Sequence, residues 1–503
     1  ASGVNHVYFQ GTIYSPKEAA WPGWKFYAAV DMSPTNSIWR DAPAFFDYIS
    51  RTQSFLQSGT PDNDFLLYLP LYDMWHEQRG NYFATFAIHG IRRRIPEFCE
   101  GVERIMSCGY DLDYISDRFI QTTTVENGLL KTESGAHYKA LILPSVKRIP
   151  VETLSRIHEL AAQGATIVFA GQYPEDVPGL SRLAERRQDF TALMERFPEV
   201  PSFEQVSENK TGKGVIITGK NRYAELLATF SAGKEAFVSD FGGKLIRRAH
   251  EGGHLYFFSM LKNTPVDGWM PLGVHARSAV FFDAMTGRTG KARLRHTNGV
   301  TEVYLQLRPG ESILLKTFAD NDVRADEWNY YRPTGTQLAL NDGWEMCFTE
   351  SAPQVNGTFK LPTLGSWTAL ANDTLKKNMG TARYSIRFDF HKTAGKEYRL
   401  CLGDVRESAA VKVNGQSAGV LFAVPFETNI GALLRDGANI LEIEVTNLPA
   451  NRIADYDRQG IEWRIFHEIN FVDITYSDTR FDKWQPLDSG LLGPVTIQEV
   501  RKL

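Results

Sequence analysis

Hydrophobic and polar positions in the first half of the chain alternate between strand-like and helix-like patterns. Nearly continuous apolar runs predict buried strands at 64–70, 110–115, 137–143 and 164–170. Apolar residues at helical spacing predict helices at 41–57, 96–107 and 150–163. Parallel strands covered by helices on both faces read as continuous apolar runs. Residues 61–235 are therefore predicted to form a doubly wound, flavodoxin- or amidotransferase-like α/β domain.

The pattern changes to strict alternation in the second half of the chain. Alternating strands between Gly and Asn turns predict a small β domain over residues 236–330. Residues 331–503 are also rich in strands, with 382–390 and 398–402 predicted to pair. Asn414-Gly415 follows the strand 409–413 and predicts a hairpin turn. The expected architecture here is a C-terminal two-sheet β-sandwich of the galactose-binding-like, jelly-roll type.

The first 60 residues contain one strand pattern and one helix pattern, separated by a long loop. Val4–Phe9 alternates and predicts the strand, and 41–57 is the helix. The loop between them carries Trp21 and Trp24 around a Pro-Gly pair. A single strand and helix cannot fold alone, so we expect this chain to be a piece of a longer polypeptide.

Composition excludes several classes of function. Lys and Arg number 55 against 59 Asp and Glu, for a net charge of −4, which argues against a nucleic-acid partner. No apolar run approaches the length of a membrane span. Neither a GxGxxG nor a GxxxxGK[ST] phosphate loop is present, and the four cysteines form no CxxC pair. Aromatic residues make up 12%, which suits either large cores or stacking on sugar rings.

Motifs near both ends of the chain carry a family resemblance. The N-terminal motifs are GVNHVY at 3–8, WPGW at 21–24 and PTNSIW at 34–39. The C-terminal motifs are NRIADYDR at 451–458, WRIFHEIN at 463–470 and DSGLLGP at 488–494. Together they resemble glycoside hydrolase family 106, the α-L-rhamnosidases.

The resemblance implies a (β/α)8 catalytic barrel followed by accessory α/β and β domains. Residues 1–60 would be the last strand and helix of that barrel. The family implies an inverting mechanism, a calcium ion at the sugar, a plant glycan or glycoside as substrate, and a bacterial periplasmic, cell-surface or secreted location. Inversion needs an acid and a base about 6.5–9.5 Å apart with a water between them. No carboxylate here matches the family's pair, so we expect both upstream of residue 1. The partner would be the missing N-terminal barrel of the same polypeptide, and this fragment alone would be inactive.

Candidate substrate-binding residues follow from the strand period and the loops. Period two places alternate side chains of Val4–Phe9 on the barrel's inner face. Loop tryptophans have little packing reason to be there unless they cap something, so both sugar contact and packing in a lid are open to them. The candidates are His6, Tyr8, Trp21, Trp24, Asn36 and Trp39. Asn36 could instead cap the following helix. Glu18 is the one carboxylate of this first loop before Trp24, and either a surface group or an acid–base role is open to it.

A dense set of oxygen ligands lies near the C-terminus: Asp455, Asp457, Glu462, Glu468, Asn470 and Asp473. Interleaved Arg452, Arg458 and Arg464 favour an ion-pair network, with structural calcium as an alternative. A third possibility is that this segment reaches back to complete the N-terminal pocket. The alternative to an enzyme is a non-catalytic carbohydrate-binding or scaffolding module. Its candidate contacts are Tyr456, Trp463, Tyr476 and Trp484.

Overall fold

The structure, a computed structural model, describes residues 3–9, 15–25, 31–76, 91–230, 233–464 and 480–503. The α-helices are α1 (Ala42–Leu56), α2 (Leu71–His76), α3 (Ile91–Arg94), α4 (Pro96–Ser107), α5 (Asp117–Thr122), α6 (Val151–Gln163), α7 (Leu183–Met194), α8 (Tyr223–Ala228), α9 (Ala236–Ser239), α10 (Asp373–Lys376) and α11 (Ala450–Gln459). Ser37–Arg40 and Trp367–Ala369 form short 3₁₀ helices. No helix in the described ranges is long and apolar enough to cross a membrane.

A mostly parallel sheet forms the centre of the first half. Its spatial order is β3 (Leu112–Ile115), β2 (Phe65–Tyr68), β7 (Ala140–Leu143), β8 (Thr166–Phe169), β10 (Gly214–Thr218) and β9 (Ser207–Thr211). Only β9, at the edge, runs antiparallel to its neighbour. Successive β2 side chains enter separate cores on the two faces, which explains the continuous apolar runs. A small sheet of β4 (Thr124–Glu126), β5 (Leu129–Lys131) and β6 (His137–Tyr138) lies beside it.

The next unit consists of two antiparallel sheets around one core. The larger contains β1 (Thr60–Pro61), β11 (Lys244–His250), β12 (Gly253–Ser259), β18 (Ser312–Phe318), β14 (Ser278–Phe282) and β15 (Thr289–Lys291), in that order. The smaller contains β13 (Val266–Pro271), β17 (Val300–Leu307) and β16 (Leu294–Thr297). Phe281 from the first sheet and Val303 from the second lie in the same buried cluster. The exposure of β17 alternates residue by residue, as expected for a strand of this β domain.

Two further antiparallel sheets pack face to face in the last third of the chain. One has the order β19 (Tyr331–Ala339), β30 (Thr496–Lys502), β23 (Glu397–Cys401) and β27 (Glu427–Asn429). The other has β21 (Thr358–Leu361), β20 (Trp344–Ala352), β22 (Met379–Phe390), β28 (Gly437–Thr446), β25 (Ser408–Val413) and β26 (Gln416–Leu421). A two-stranded sheet joins β24 (Asp404–Arg406) to β29 (Gly490–Gly493). Side chains from both large sheets share one core, so this unit is a sandwich.

One predicted pairing in the sandwich is wrong, and one is confirmed. β22 pairs with β20 and β28, whereas β23 lies in the opposite sheet between β27 and β30. Neighbouring strands in the sequence had suggested a pair, but the chain crosses between the sheets at this point. Asn414-Gly415 does turn the hairpin from β25 to β26, with φ values of 53° and 76° that suit these two residue types.

The N-terminal strand prediction is also wrong, because Val4–Phe9 has no regular secondary structure. The backbone N–H of Val7 donates to the side-chain oxygen of Gln53, and the side chain of Gln57 donates to the carbonyl of Asn5 at 3.1 Å. The segment therefore runs along α1 rather than between two strands. Assignment of residues 1–60 to the end of a barrel stays a prediction.

Helix α1 lies between the β unit and the sandwich. Its Tyr48 hydroxyl is 2.8 Å from the hydroxyl of Ser312, and the ring of Phe55 lies 4.6 Å from that of Phe282. On the other side, the ring of Phe45 contacts Phe422 of the sandwich at 5.6 Å between centroids. These contacts position the N-terminal segment against the C-terminal third of the chain.

A buried ionic network joins the α/β sheet to the β unit. Arg247 of β11 is 7% exposed, and its guanidinium lies 2.7 Å from Glu235 and 2.5 Å from Asp62. Asp64, just before β2, accepts from Lys139 at 2.6 Å. The network holds the N-terminal end of β2 against β11, and nothing in the local sequence pattern indicated it.

Candidate functional site

Trp21 contacts a residue from the far end of the chain. Its indole N–H donates to the carbonyl of Thr35 at 2.9 Å, which fixes the ring against the backbone of that residue. The ring then meets Tyr456 of α11 edge-on, at 5.5 Å between centroids and 78° between planes. We call Trp21, Arg452 and Tyr456 the Trp21–Tyr456 junction. It unites a candidate of the enzyme hypothesis with a candidate of the binding-module hypothesis.

Helix α11 supplies the other side of this junction. It ends at Gly460, whose φ of 66° is the left-handed conformation typical of a glycine cap. Arg452 and Tyr456 are four residues apart and therefore share one face. The Arg452 guanidinium lies 4.7 Å from the centre of the Tyr456 ring and donates to its hydroxyl at 3.2 Å. Tyr456 is thus held between a cation and an indole.

Buried amide side chains fix α11 on the sandwich. Asn451, at the start of the helix, donates to the carbonyl of Leu487 at 2.9 Å and receives the N–H of Leu487 at 2.8 Å. Asn447 donates to the hydroxyl of Ser489 at 3.0 Å and to the carbonyl of Asn378 at 3.0 Å. These groups are almost fully buried. Because buried polar groups must be hydrogen-bonded, this network defines one orientation of the helix.

The segment after Trp21 is attached to the same region. Ser37 donates to the carbonyl of Asn447, and Arg40 donates to Glu444 at 2.5 Å. The buried carboxylate of Asp41 accepts from the hydroxyl of Ser408 at 2.5 Å. These links attach the residues just before α1 to β25, to β28 and to the residue that follows β28.

Of the three interleaved arginines, Arg464 pairs with a carboxylate of the acidic cluster, that of Asp457. Arg452 donates to the Tyr456 hydroxyl and Arg458 to the carbonyl of Trp484. Asp457 accepts from the indole N–H of Trp463 at 2.6 Å, from the backbone N–H of Phe481 at 2.8 Å, and from Arg464 at 3.1 Å. Burial alone would raise the pKa of Asp457, but these donors outweigh it and hold the pKa below the ordinary value. Asp455 accepts from Gln459 at 2.6 Å.

The calcium alternative has no support in the described ranges, where no three His, Cys, Asp or Glu side chains are arranged around one point. Asp457 is already occupied by Arg464 and two N–H donors, so it offers little to a cation. Glu462 lies on the surface and receives the backbone N–H of Arg464 at 3.1 Å. Glu468, Asn470, Asp473 and Tyr476 lie outside the described residues.

The two candidates on the first segment are exposed in this chain, and their place in a sugar site stays a prediction. Tyr8 is exposed by 79%, and His6 is exposed as well, on a segment without regular secondary structure. A ring nitrogen of His6 lies 3.0 Å from the Gln57 amide. Glu18 is also exposed.

The other candidates are divided between packing and capping. Trp24 is half-buried, and its backbone N–H donates to the Ser15 hydroxyl at 3.0 Å. Asn36 caps the 3₁₀ helix by accepting from the N–H of Ile38 at 3.3 Å, as its capping alternative predicted. Trp39 is 37% exposed and packs edge-on against Phe46 at 6.1 Å. Any role of these residues in sugar contact stays a prediction.

The C-terminal aromatic candidates differ in exposure. Trp463 is 4% exposed, with Arg464 stacked on its ring at 4.3 Å, so it packs inside. Trp484 is 47% exposed, with Phe481 edge-on at 4.9 Å. Arg452 was noted in the sequence only as a counter-charge, although its spacing of four from Tyr456 indicates a shared face.

One family model matches more than half of the chain, and comparisons with known proteins show what the chain is similar to. The family model described as Glyco_hydro_106, alpha-L-rhamnosidase, matches residues 1–296. The rhamnosidase structure from Novosphingobium sp. PP1Y superposes with a TM-score of 0.66 at 21% identity, covering 95% of this chain and 43% of that one. A curated protein of Formosa agariphila, named "Putative beta-glucuronidase", is 26% identical over 326 residues, which are 63% of this chain and 24% of that protein. The chain thus spans about a quarter of that relative's length and less than half of the rhamnosidase chain.

The structural likeness extends through the sandwich, beyond the residues that the family model matches. The family match itself includes the loop of Trp21, the α/β sheet and part of the β unit. From residue 1 to residue 296, this chain is a member of the α-L-rhamnosidase family of glycoside hydrolases, family 106.

Proposed function

We propose that this chain is the C-terminal part of an inverting α-L-rhamnosidase that acts on plant glycans in the bacterial periplasm or outside the cell. The catalytic acid and base would precede residue 1, and the chain alone would be inactive. The observation that carries the proposal is the Trp21–Tyr456 junction, in which Trp21, near the start of the residues that the family model matches, meets Tyr456 of α11 beyond them.

The chemistry of the junction suits a deoxy sugar. Rhamnose carries a methyl group and C–H faces that pack against aromatic rings, and hydroxyls that accept hydrogen bonds from a guanidinium. Trp21 and Tyr456 supply the rings, and Arg452 supplies the donors. All three are half-buried, so they form a rigid wall that can contact a ligand without first becoming ordered.

The carboxylate of Asp457, which follows Tyr456 on α11, does not suit the role of general acid. A general acid at neutral pH needs a raised pKa, whereas the donors around Asp457 lower its pKa. Its hydrogen bonds to Trp463 and Arg464 make it a positioning residue for the segment after α11. The described residues of this chain offer no group of three or more His, Cys, Asp or Glu side chains that could hold the calcium ion the family implies.

The test uses the full polypeptide that contains this chain. We expect it to hydrolyse an aryl α-L-rhamnoside and to release the inverted anomer, as followed by NMR. Repeating this assay with a calcium chelator tests the calcium dependence that the family implies. Trp21→Ala and Tyr456→Ala should each lower kcat/KM by roughly tenfold, the order of one aromatic contact and its positioning effect.

The matched control is Trp75→Ala, since Trp75 is 62% exposed on the α/β unit and should leave kcat/KM unchanged. The role of the wall would be contradicted if Trp21→Ala and Tyr456→Ala both left kcat/KM on the aryl rhamnoside unchanged. Absence of rhamnosidase activity in the full polypeptide, with other aryl glycosides cleaved, would contradict the substrate.

A second candidate function is a non-catalytic carbohydrate-binding module. It is favoured by Trp484, an exposed ring beside Phe481 on the same terminal unit. Binding of rhamnose-containing oligosaccharide to this chain alone, abolished by Trp484→Ala and retained in Trp21→Ala, would support it over the pocket wall.

A further inference from the structure

Two histidines from different parts of the β unit meet at an open cleft. His275 lies in the turn between β13 and β14, and His296 lies on β16. Their ring centroids are 5.6 Å apart, with 34° between planes. The cleft has a volume of about 390 Å³ and is completed by Arg277, Ala319 and Asp320.

One of the two rings makes the kind of hydrogen bond that metal-binding histidines make with their second nitrogen. The Nε2 atom of His296 lies 2.9 Å from the carbonyl oxygen of Ala276. A carbonyl only accepts, so Nε2 carries the proton and Nδ1 of the neutral ring keeps its lone pair. Histidines that bind metal usually donate their second ring N–H to such a group, which fixes the tautomer and the ring plane.

The ring separation fits a shared ion. A ring nitrogen lies on the order of 1 Å from its centroid and Zn–N bonds are about 2.0 Å long, so two imidazoles on one ion have centroids about 5–6 Å apart. The observed separation of 5.6 Å lies within this range. Imidazole is a ligand for zinc, copper and nickel, whereas calcium prefers oxygen.

The charges at the cleft include one carboxylate and one guanidinium. Asp320 is exposed and contributes a negative charge to the wall. Arg277 opposes a cation, but its guanidinium donates to the carbonyl of Asp320 at 3.3 Å. No third His, Cys, Asp or Glu side chain in the described ranges is arranged around the same point as the two rings. The ion would therefore have two protein ligands and complete its shell with water.

We propose that His275 and His296 bind one divalent transition-metal ion at this cleft, and this inference does not rest on the proposed hydrolase activity. The donor set favours zinc or copper over calcium. The site spans the two sheets of the β unit, because His296 belongs to the smaller sheet and His275 leads into β14 of the larger one.

The test is isothermal titration of this chain with zinc chloride, with and without excess calcium chloride. We expect one zinc site that calcium does not displace. His275→Ala and His296→Ala should each weaken zinc binding at least tenfold. His391→Ala removes another exposed histidine and should leave binding unchanged. Electron paramagnetic resonance with one equivalent of copper chloride should show two coordinated nitrogens in the wild type and fewer in either variant.

Variants that change the charge of the cleft distinguish a cation site from an anion site. Asp320→Asn should weaken zinc binding by less than the histidine variants, and Arg277→Ala should leave it equal or stronger. Zinc binding that is unchanged in His275→Ala and His296→Ala would overturn the proposal. Binding of inorganic phosphate that Arg277→Ala abolishes, with no zinc site, would identify an anion pocket instead. Circular dichroism of each variant confirms that its fold is retained.

Discussion

Replacing Arg247 by methionine should destabilise the contact between the α/β sheet and the β unit. Arg247 is the cation that faces Glu235, whose carboxylate is 3% exposed and also accepts from the Tyr256 hydroxyl and the Gly273 N–H, each at 3.1 Å. Asp64 has a second cation, since Lys139 donates to its carboxylate at 2.6 Å and is not altered by the substitution. The substitution therefore leaves Glu235 as a buried charge without its cation.

The magnitude follows from this asymmetry. Removing one partner of a buried ion pair costs about 3–5 kcal/mol, whereas removing both can be nearly neutral. For a unit of this size that loss corresponds to a fall in Tm of about 6–20 °C. The double variant Glu235→Gln with Arg247→Met should regain a large part of it, because no buried charge is left uncompensated.

The loss of stability in the Arg247→Met variant, called the deficit below, should also depend on pH. Burial raises the pKa of Glu235, although Arg247, the Gly273 N–H and Tyr256 oppose the rise. Without Arg247 that pKa rises further, so the folded variant takes up a proton more readily than the unfolded chain does. The deficit of the Arg247→Met variant should therefore shrink as the pH falls from 7 towards 5.

The assay is differential scanning calorimetry, because several units need not unfold in one transition. Arg324→Met, which alters an exposed arginine of the β unit, is the control and should keep the wild-type Tm. A Tm for Arg247→Met within about 1 °C of the wild type would refute the reasoning. An equal fall in Tm for Arg247→Met and for the double variant with Glu235→Gln would refute it as well.

Three further predictions concern the N-terminal segment and α11. Trp21→Ala and Tyr456→Ala should be non-additive by about 0.5–1.5 kcal/mol in chemical denaturation, and strict additivity would show that the rings do not interact. Asn36→Ala should cost about 0.5–2 kcal/mol locally, seen as faster hydrogen exchange of the first 3₁₀ turn, while Asn36→Asp should retain protection. Because donors including Arg464 lower the pKa of Asp457, its stabilisation is present above the ordinary carboxyl pKa and lost as the pH falls through the folded value. Asp457→Asn should remove that part of the acid sensitivity of the Tm.

Element positions could be predicted where the pattern of side chains is local. Helix α4 has the predicted bounds 96–107, and α1 and α6 differ from prediction by a residue at most at either end. The parallel sheet followed from apolar runs such as β2, whose four residues are all buried. These results rest on periodicity, which the sequence expresses within one element.

Strand partners and strand formation at the N-terminus could not be predicted in the same way. Val4–Phe9 has an alternating pattern, but a strand also needs a neighbouring strand edge to bind its backbone groups. In the described structure the N–H of Val7 and the carbonyl of Asn5 bind the side chains of Gln53 and Gln57 instead, in α1 and just after it. β22 and β23 were each predicted as strands, yet their partners are distant in sequence. Pairing is a non-local choice that the alternation does not encode.

The sequence by itself determined four strands of the parallel sheet, the helices α1, α4 and α6, the hairpin at Asn414-Gly415 and the motifs that led to the family. Tertiary structure alone decided that Trp21 contacts Tyr456 and that Arg247 meets Glu235. Periodicity follows from the backbone geometry of one element, so it is visible in a short window of sequence. Contacts between distant residues depend on how whole units pack, and there burial makes ion pairs and aromatic contacts specific.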